Sequence, residues 1–207
     1  MNISHSVEIA TFKLKSSASD AQLLQLEDRI RAGRISQMPG FISRELLKDE
    51  ANEEWVMVMR FATREQMDAW MAAIKEVPEM RELAALIDMT TMSMRFFTHT
   101  STAVPIDEKK TRGFVGEARF HLNPGVSEAD FAAMEEPIRT ILATQPGFLK
   151  RTLGKGTDGR MVVTIVWETK LQGAVWTDAS KRFEVLQKQH AMIDFSSMDV
   201  YAYEQIL

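Results

Sequence analysis

The chain has 207 residues, 45% of them apolar and 26% charged, with a formal charge of -4 and no cysteine. That is ordinary for a globular protein and long enough for one large domain or two smaller ones. It excludes disulfides, thiolate nucleophiles and Cys-ligated metals, and the interspersed charges form no basic stripe that would suit nucleic acid.

The N-terminus has no basic start followed by an apolar core, so no signal peptide is expected. No apolar run approaches the roughly 18 residues that a membrane span needs. The cytoplasm is the default location.

In chain order, residues 7–15 alternate with period two and read as a strand. Ser19 and Asp20 offer a helix N-cap, and Leu23, Leu24, Leu26 and Ile30 follow at helical spacing. The Pro39–Gly40–Phe41 turn ends that helix. Residues 41–48 and 54–60 read as two strands, with the polar 49–53 as a hairpin loop. Thr63 caps a second helix, with Gln66 three residues on in capping-box spacing. Trp70, Ala73 and Ile74 share a face of it, and Pro78 breaks or restarts it. Residues 89–99 form a last strand. A polar stretch, 100–113, contains Pro105, shows no period and reads as a linker.

Then the plan repeats. With an offset of 108, residues 7–31 lie over 115–139, and Val7, Ala10, Phe12, Leu14, Ser19, Ala21, Glu27, Ile30 and Arg31 meet identical residues. The Pro-Gly-Phe turn recurs at 146–148. Residues 61–97 lie over 167–203 without a gap, with Thr63, Gln66, Trp70, Ala73, Lys75, Ala85, Ile87, Asp88 and Met92 matched. The sequence therefore reads as a tandem duplication. The second hairpin loop is the Gly-rich 154–159, which joins two strands rather than opening a helix and so makes a poor phosphate loop. Where the first copy has Pro78 the second has Glu184, so its second helix is expected to run straighter.

Strand–helix–strand–strand–helix–strand is the ferredoxin-like, split βαβ plan. Its sheet carries helices on one face and leaves the other in need of cover. The expected fold class is α+β: two tandem ferredoxin-like units, 1–99 and 114–207 joined by 100–113, forming an intrachain pseudo-dimeric barrel. A further homodimer stays open.

The chain resembles the antibiotic-biosynthesis-monooxygenase-like family of the dimeric α+β barrel superfamily. The resemblance is carried by the Pro-Gly-Phe turn (39–41 and 146–148) and by a Trp in the second helix, in "ATREQMDAW" (62–70) and "ETKLQGAVW" (168–176). It implies a pocket between sheet and helices lined by Trp70 and Trp176. It also implies one of three roles: cofactor-free oxygenation of phenolic substrates, haem breakdown, or no catalysis. Haem-degrading members add an Asn on the first strand and a His ten residues past the Trp. This chain has Ala10 and Ala118, and Met80 and Leu186, at those places. Haem breakdown therefore ranks below the other readings.

Each candidate residue also has a plainer role. Trp70, Trp176, Phe12 and Phe120 suit a substrate pocket or simple core packing. His190 and His121 are candidate proton shuttles or surface positions. Glu117, Arg119 and His121 alternate on the face opposite Phe120, as a polar seam or a polar cavity, and Arg119 is a candidate for handling charge. Met57, Met59, Met89, Met92 and Met94 read as fillers of irregular gaps. His5, His99, His121 and His190 show no metal-ligand spacing, so no metal is expected. The leading function is a cofactor-free monooxygenase-like protein for a small aromatic or polycyclic phenolic substrate. The alternatives are a non-catalytic small-molecule-binding or stress-related barrel, and an interaction module.

Overall fold

The computed structural model describes residues 3–49, 51–101 and 113–206. Residues 102–112 of the expected linker lie outside the described residues. The chain divides into two compact units, Ser4–Thr98 with Ile206, and His99–Gln205.

The first unit holds β1 (Ile3–Leu14), α1 (Asp20–Ala32), β2 (Phe41–Asp49), β3 (Glu54–Phe61), α2 (Arg64–Ala73), α3 (Pro78–Leu86) and most of β4 (Ile87–Ser101). The second holds β5 (Phe114–Leu122), α4 (Glu128–Ala133), α5 (Glu135–Leu142), β6 (Phe148–Gly156), β7 (Met161–Trp167), α6 (Lys170–Ala179), α7 (Glu184–His190) and β8 (Ile193–Gln205). Each is α+β with the ferredoxin-like order. In the first unit β1 pairs antiparallel with β3 and β3 with β2. β4 borders β1, where the Lys13 N–H donates to Thr91 Oγ1 at 2.9 Å. In the second unit β8, β5, β7 and β6 pair antiparallel in that order.

The strand registers coincide. Ala10 stands opposite Met57 as Ala118 stands opposite Val163, and Arg44 opposite Met59 as Arg151 opposite Ile165. Every residue of one unit thus has a twin in the other along these strands.

Local chemistry explains why the Pro-Gly-Phe turn is written twice. Gly40 and Gly147 have φ of +76° and +74°, a region side chains other than hydrogen rarely enter. A Cβ at either would also fall 1.9 or 2.1 Å from the side-chain amide of Gln66 or Gln172. Those amides belong to the caps of α2 and α6: Thr63 and Thr169 accept from the Gln66 and Gln172 N–H groups. The Ala62 and Glu168 N–H groups donate to the Gly40 and Gly147 carbonyls at 2.7 and 2.8 Å. Turn and helix cap are one device, tying the entry of the second strand to the start of the second helix.

The second helix of the second unit does not run straight. α6 ends in a single 3-10 turn at Ser180–Arg182, and Phe183 is extended (φ -91°, ψ 119°) before α7 begins. Val77 does the same in the first unit (φ -88°, ψ 117°) ahead of Pro78. Proline is therefore not the cause. Val77 is buried at the break, and Phe183 stacks on Trp176 with ring centroids 5.7 Å apart. Proline does act elsewhere: Pro137 has no N–H to donate and its ring crowds the carbonyl four residues back, and the helix is split there at Met134.

In the first unit one cluster joins Phe12, Leu23, Met59, Met67, Trp70 and Leu83. The second has two clusters, one around Phe120, Phe131 and Val163 and one around Ile138, Trp167, Trp176 and Leu186, with Ile165 touching both. Met89 and Met94, expected as gap fillers, are exposed instead. No helix among the described residues is long and apolar enough to cross a membrane.

Candidate active site

Between the two clusters of the second unit lies a cavity of about 150 Å³. Ala118 and Phe120 of β5, and Val163 and Ile165 of β7, form its floor on the sheet. Trp176, Leu186 and the break residue Ser180 close it from the helices. Its polar groups are Arg151, Ser180, Gln189 and His190.

These polar groups are organised by a buried pair that occurs in both units. Arg44 on β2 donates to Glu27 on α1 through Nε at 2.8 Å and Nη2 at 2.6 Å. Arg151 on β6 donates likewise to Glu135 on α5, at 2.9 and 2.8 Å. The forked guanidinium matches the two carboxylate oxygens, which is the arrangement that makes burial of both charges tolerable. The second unit adds Gln189, which accepts from Arg151 Nη2 at 3.0 Å and donates to Glu135 Oε1 at 2.9 Å. Burial works against the Glu135 charge, but the bonds from Arg151 and Gln189 and the guanidinium charge outweigh it and hold its carboxyl below the usual range.

His190 follows Gln189 at the end of α7 and is half-buried. Burial, and then the positive charge of Arg151, hold its imidazole below the ordinary range. It is therefore neutral near pH 7 and able to accept a proton. Its ring meets Phe195 edge-on, with centroids 6.1 Å apart.

The structure brings Trp176, Phe120 and His190 to this cavity. It places Trp70 and Phe12 in the core cluster of the first unit, each fully buried. Trp70 Nε1 has no hydrogen-bond partner there, as in a dry core. Arg119 is buried on the other face of β5, where Nε donates to Glu117 at 2.6 Å and the guanidinium lies 4.6 Å from the Tyr201 ring. His121 is exposed, and its backbone N–H donates to Ser197 Oγ. Neither lines the cavity. Among the described residues no three His, Asp or Glu side chains gather as a metal site would require.

Sequence reasoning does not reach Glu135, Arg151, Ser180 or Gln189. A signal for the last two was present. Their twins are the apolar Ile74 and Leu83, as the twin of His190 is Ala84. Apolar residues replaced by polar ones on the buried face of one copy alone mark a place where that copy does something different.

The sequence profile described as antibiotic biosynthesis monooxygenase matches residues 6–85, within the first unit. No curated protein sequence matches the chain. Solved structures match its fold over both units. A candidate monooxygenase of Fusobacterium nucleatum superposes with a TM-score of 0.71 at 11% identity, covering 99% of this chain and 93% of its own. An anthrone oxidase-like protein gives 0.68 at 11% identity, with 98% and 92% covered. A heme-degrading enzyme from Listeria monocytogenes gives 0.56 at 11% identity, with 96% and 98% covered. At such identities the likeness bears on the fold alone.

Proposed function

We propose, from the match of residues 6–85 to the antibiotic biosynthesis monooxygenase profile, that the chain is a cofactor-free, monooxygenase-like protein acting on an electron-rich hydroxyarene in the cavity of the second unit. The observation that carries this reading is the meeting, at one apolar cavity, of a neutral His190, the Arg151–Glu135 pair and the Trp176 wall. We read 1–99 and 114–207 as two domains of one duplicated plan, acting in the cytoplasm on a small aromatic molecule.

The roles follow from the chemistry. His190 takes the hydroxyl proton, and Arg151, itself buried, steadies the oxyanion where water screens it less than in bulk. The electron-rich ring carbon para to the oxygen then reduces O2 and forms a C–O bond. Loss of the hydrogen on that carbon, with cleavage of the O–O bond and return of the proton from His190, gives a quinone and one water. Four electrons leave the ring and four reduce O2, so no external reductant is consumed. Trp176 and Phe120 hold the ring flat against the sheet.

Oxygen uptake by the purified protein with a panel of hydroxyarenes tests this. One O2 consumed per quinone formed is expected, with the rate falling about 10²-fold in His190→Gln, the lower end of what a general base contributes. Uptake no faster than in protein-free buffer for every compound that binds would sink it. A second reading, binding without turnover, draws on one observation: the His190 ring makes no hydrogen bond among the described residues that would fix its orientation for proton transfer.

A further inference from the structure

We infer that, granted the reading above, the second-unit cavity takes one neutral aromatic ring bearing a hydroxyl, and discriminates against fused-ring and carboxylated hydroxyarenes.

Size is the first ground. The space is about 150 Å³, and an apolar cavity of about that volume holds a single benzene ring. The cavity is open on one side, so a fused second ring must either stay in water at the mouth, adding no burial, or push against Ile165 on the floor, which packs against both clusters, or against the Trp176–Phe183 stack at 5.7 Å. Neither gives way cheaply, because close-packed interiors are stiff.

Charge is the second. Arg151 is the cation of the lining, and Glu135 already neutralises it through two hydrogen bonds. His190 is held toward its neutral form. A ligand carboxylate would therefore add a net negative charge beside a cation that Glu135 already offsets. The first unit contains an internal measure of that penalty. Glu8 sits on β1 opposite Met59, where the second unit has Gly116 opposite Ile165. Burial pushes the Glu8 carboxyl up to about 7, against the opposing pull of Arg44 and Arg64. A carboxyl beside this kind of Arg–Glu pair prefers to keep its proton.

A hydroxyl meets no such penalty. It can donate to His190 and accept from Arg151 Nη1. That nitrogen has no acceptor among the described residues, because Arg151 bonds through Nε and Nη2 only. Arg44 Nη1 instead lies 4.0 Å from the Met59 sulfur, and Ile165 replaces that methionine in the second unit. The second unit thus offers a guanidinium nitrogen outside the Glu135 and Gln189 bonds, on a residue that lines a space of one ring's size.

The test is calorimetric titration of the full chain at pH 8 with phenol, 2-naphthol and 4-hydroxybenzoate. Phenol is expected to bind at one per chain. 2-Naphthol, although more apolar, is expected to bind no tighter, and 4-hydroxybenzoate at least about ten-fold more weakly. Ser180→Ile and Ile165→Met, which install the first unit's residues, should each weaken phenol binding by about ten-fold while retaining a cooperative melt; two variants guard against one misfolding. No phenol binding, tighter binding of 2-naphthol, or 4-hydroxybenzoate held within ten-fold of phenol overturns the inference. Oxygen uptake on the same samples separates it from the reading above. Phenol bound without oxygen consumption leaves the specificity standing and removes the oxidation; oxygen consumed only with a fused-ring substrate does the reverse.

Discussion

In the first unit Met57, Met59, Ile74 and Met80 close around a fully buried Trp70, whereas in the second Val163, Ile165, Ser180 and Leu186 stand at the same places around Trp176 and border a cavity. Backbone plan, turn, cap and Arg–Glu pair are common to both. What differs is side-chain length and one carboxyl: Glu8 where the second unit has Gly116. Flexible methionines fill irregular volume well, and in the first unit the residues around Trp70 form one cluster. In the second the apolar residues fall into two clusters with the polar groups between them. The profile of the family matches the first unit, whereas the cavity described above lies in the second.

The comparison can be broken first at the buried pairs. Glu27→Ala strands Arg44, whose side chain is 1% exposed, and should cost about 3–5 kcal/mol of unfolding free energy in urea. Glu135→Ala should cost less, because Arg151 keeps Gln189 as a partner and the carboxylate it loses is 13% exposed. Equal losses would mean that Gln189 contributes nothing.

Glu8 comes next. Its folded carboxyl titrates near 7 and an unfolded one near 4.5, so the folded state holds the proton more tightly. Relative stability is highest below the unfolded value and is lost as pH rises from about 4.5 to about 7. Above that the ionised, buried carboxylate costs about 3 kcal/mol. Glu8→Gln should therefore be more stable than the parent at pH 8 and similar to it at pH 4, by thermal melts across pH. No counterpart exists at Gly116.

His190 should give the second unit its pH profile. Because its pKa lies below the usual imidazole value, kcat/KM should rise with pH along an acid limb below about 6.5 and level off near neutrality. In His190→Gln that limb should vanish along with about 10² of the rate. An unchanged limb would assign the proton to another group.

The smallest effect is expected to be shared. Gly40→Ala and Gly147→Ala meet the same positive φ and the same glutamine amide, and each should cost about 1–2 kcal/mol, in equal measure. Unequal costs would show that the two turn-and-cap devices are not equivalent.

Much of the fold was legible because its signals are local or periodic. The Pro-Gly-Phe turn, the Thr-x-x-Gln cap and the alternating strands each span a few residues, and the duplication repeats them in register. The helix break at Phe183 was not legible, since Glu184 suggested continuity and the cause is a ring stacked on Trp176. The site was legible only in part. Trp176, Phe120 and His190 stood out by type. Arg151 and Glu135 are 16 residues apart on a strand and a helix, and only the packing of one on the other joins them. Ser180 and Gln189 look like solvated helix residues until their apolar twins are set beside them.

The most direct test of the central claim, that one unit is filled and the other open, is a crystal soaked in 4-bromophenol with anomalous data collected at the bromine edge. A single peak per chain is expected, between Trp176, Phe120 and Ile165. A peak against Trp70, peaks in both units, or none in the second would contradict it.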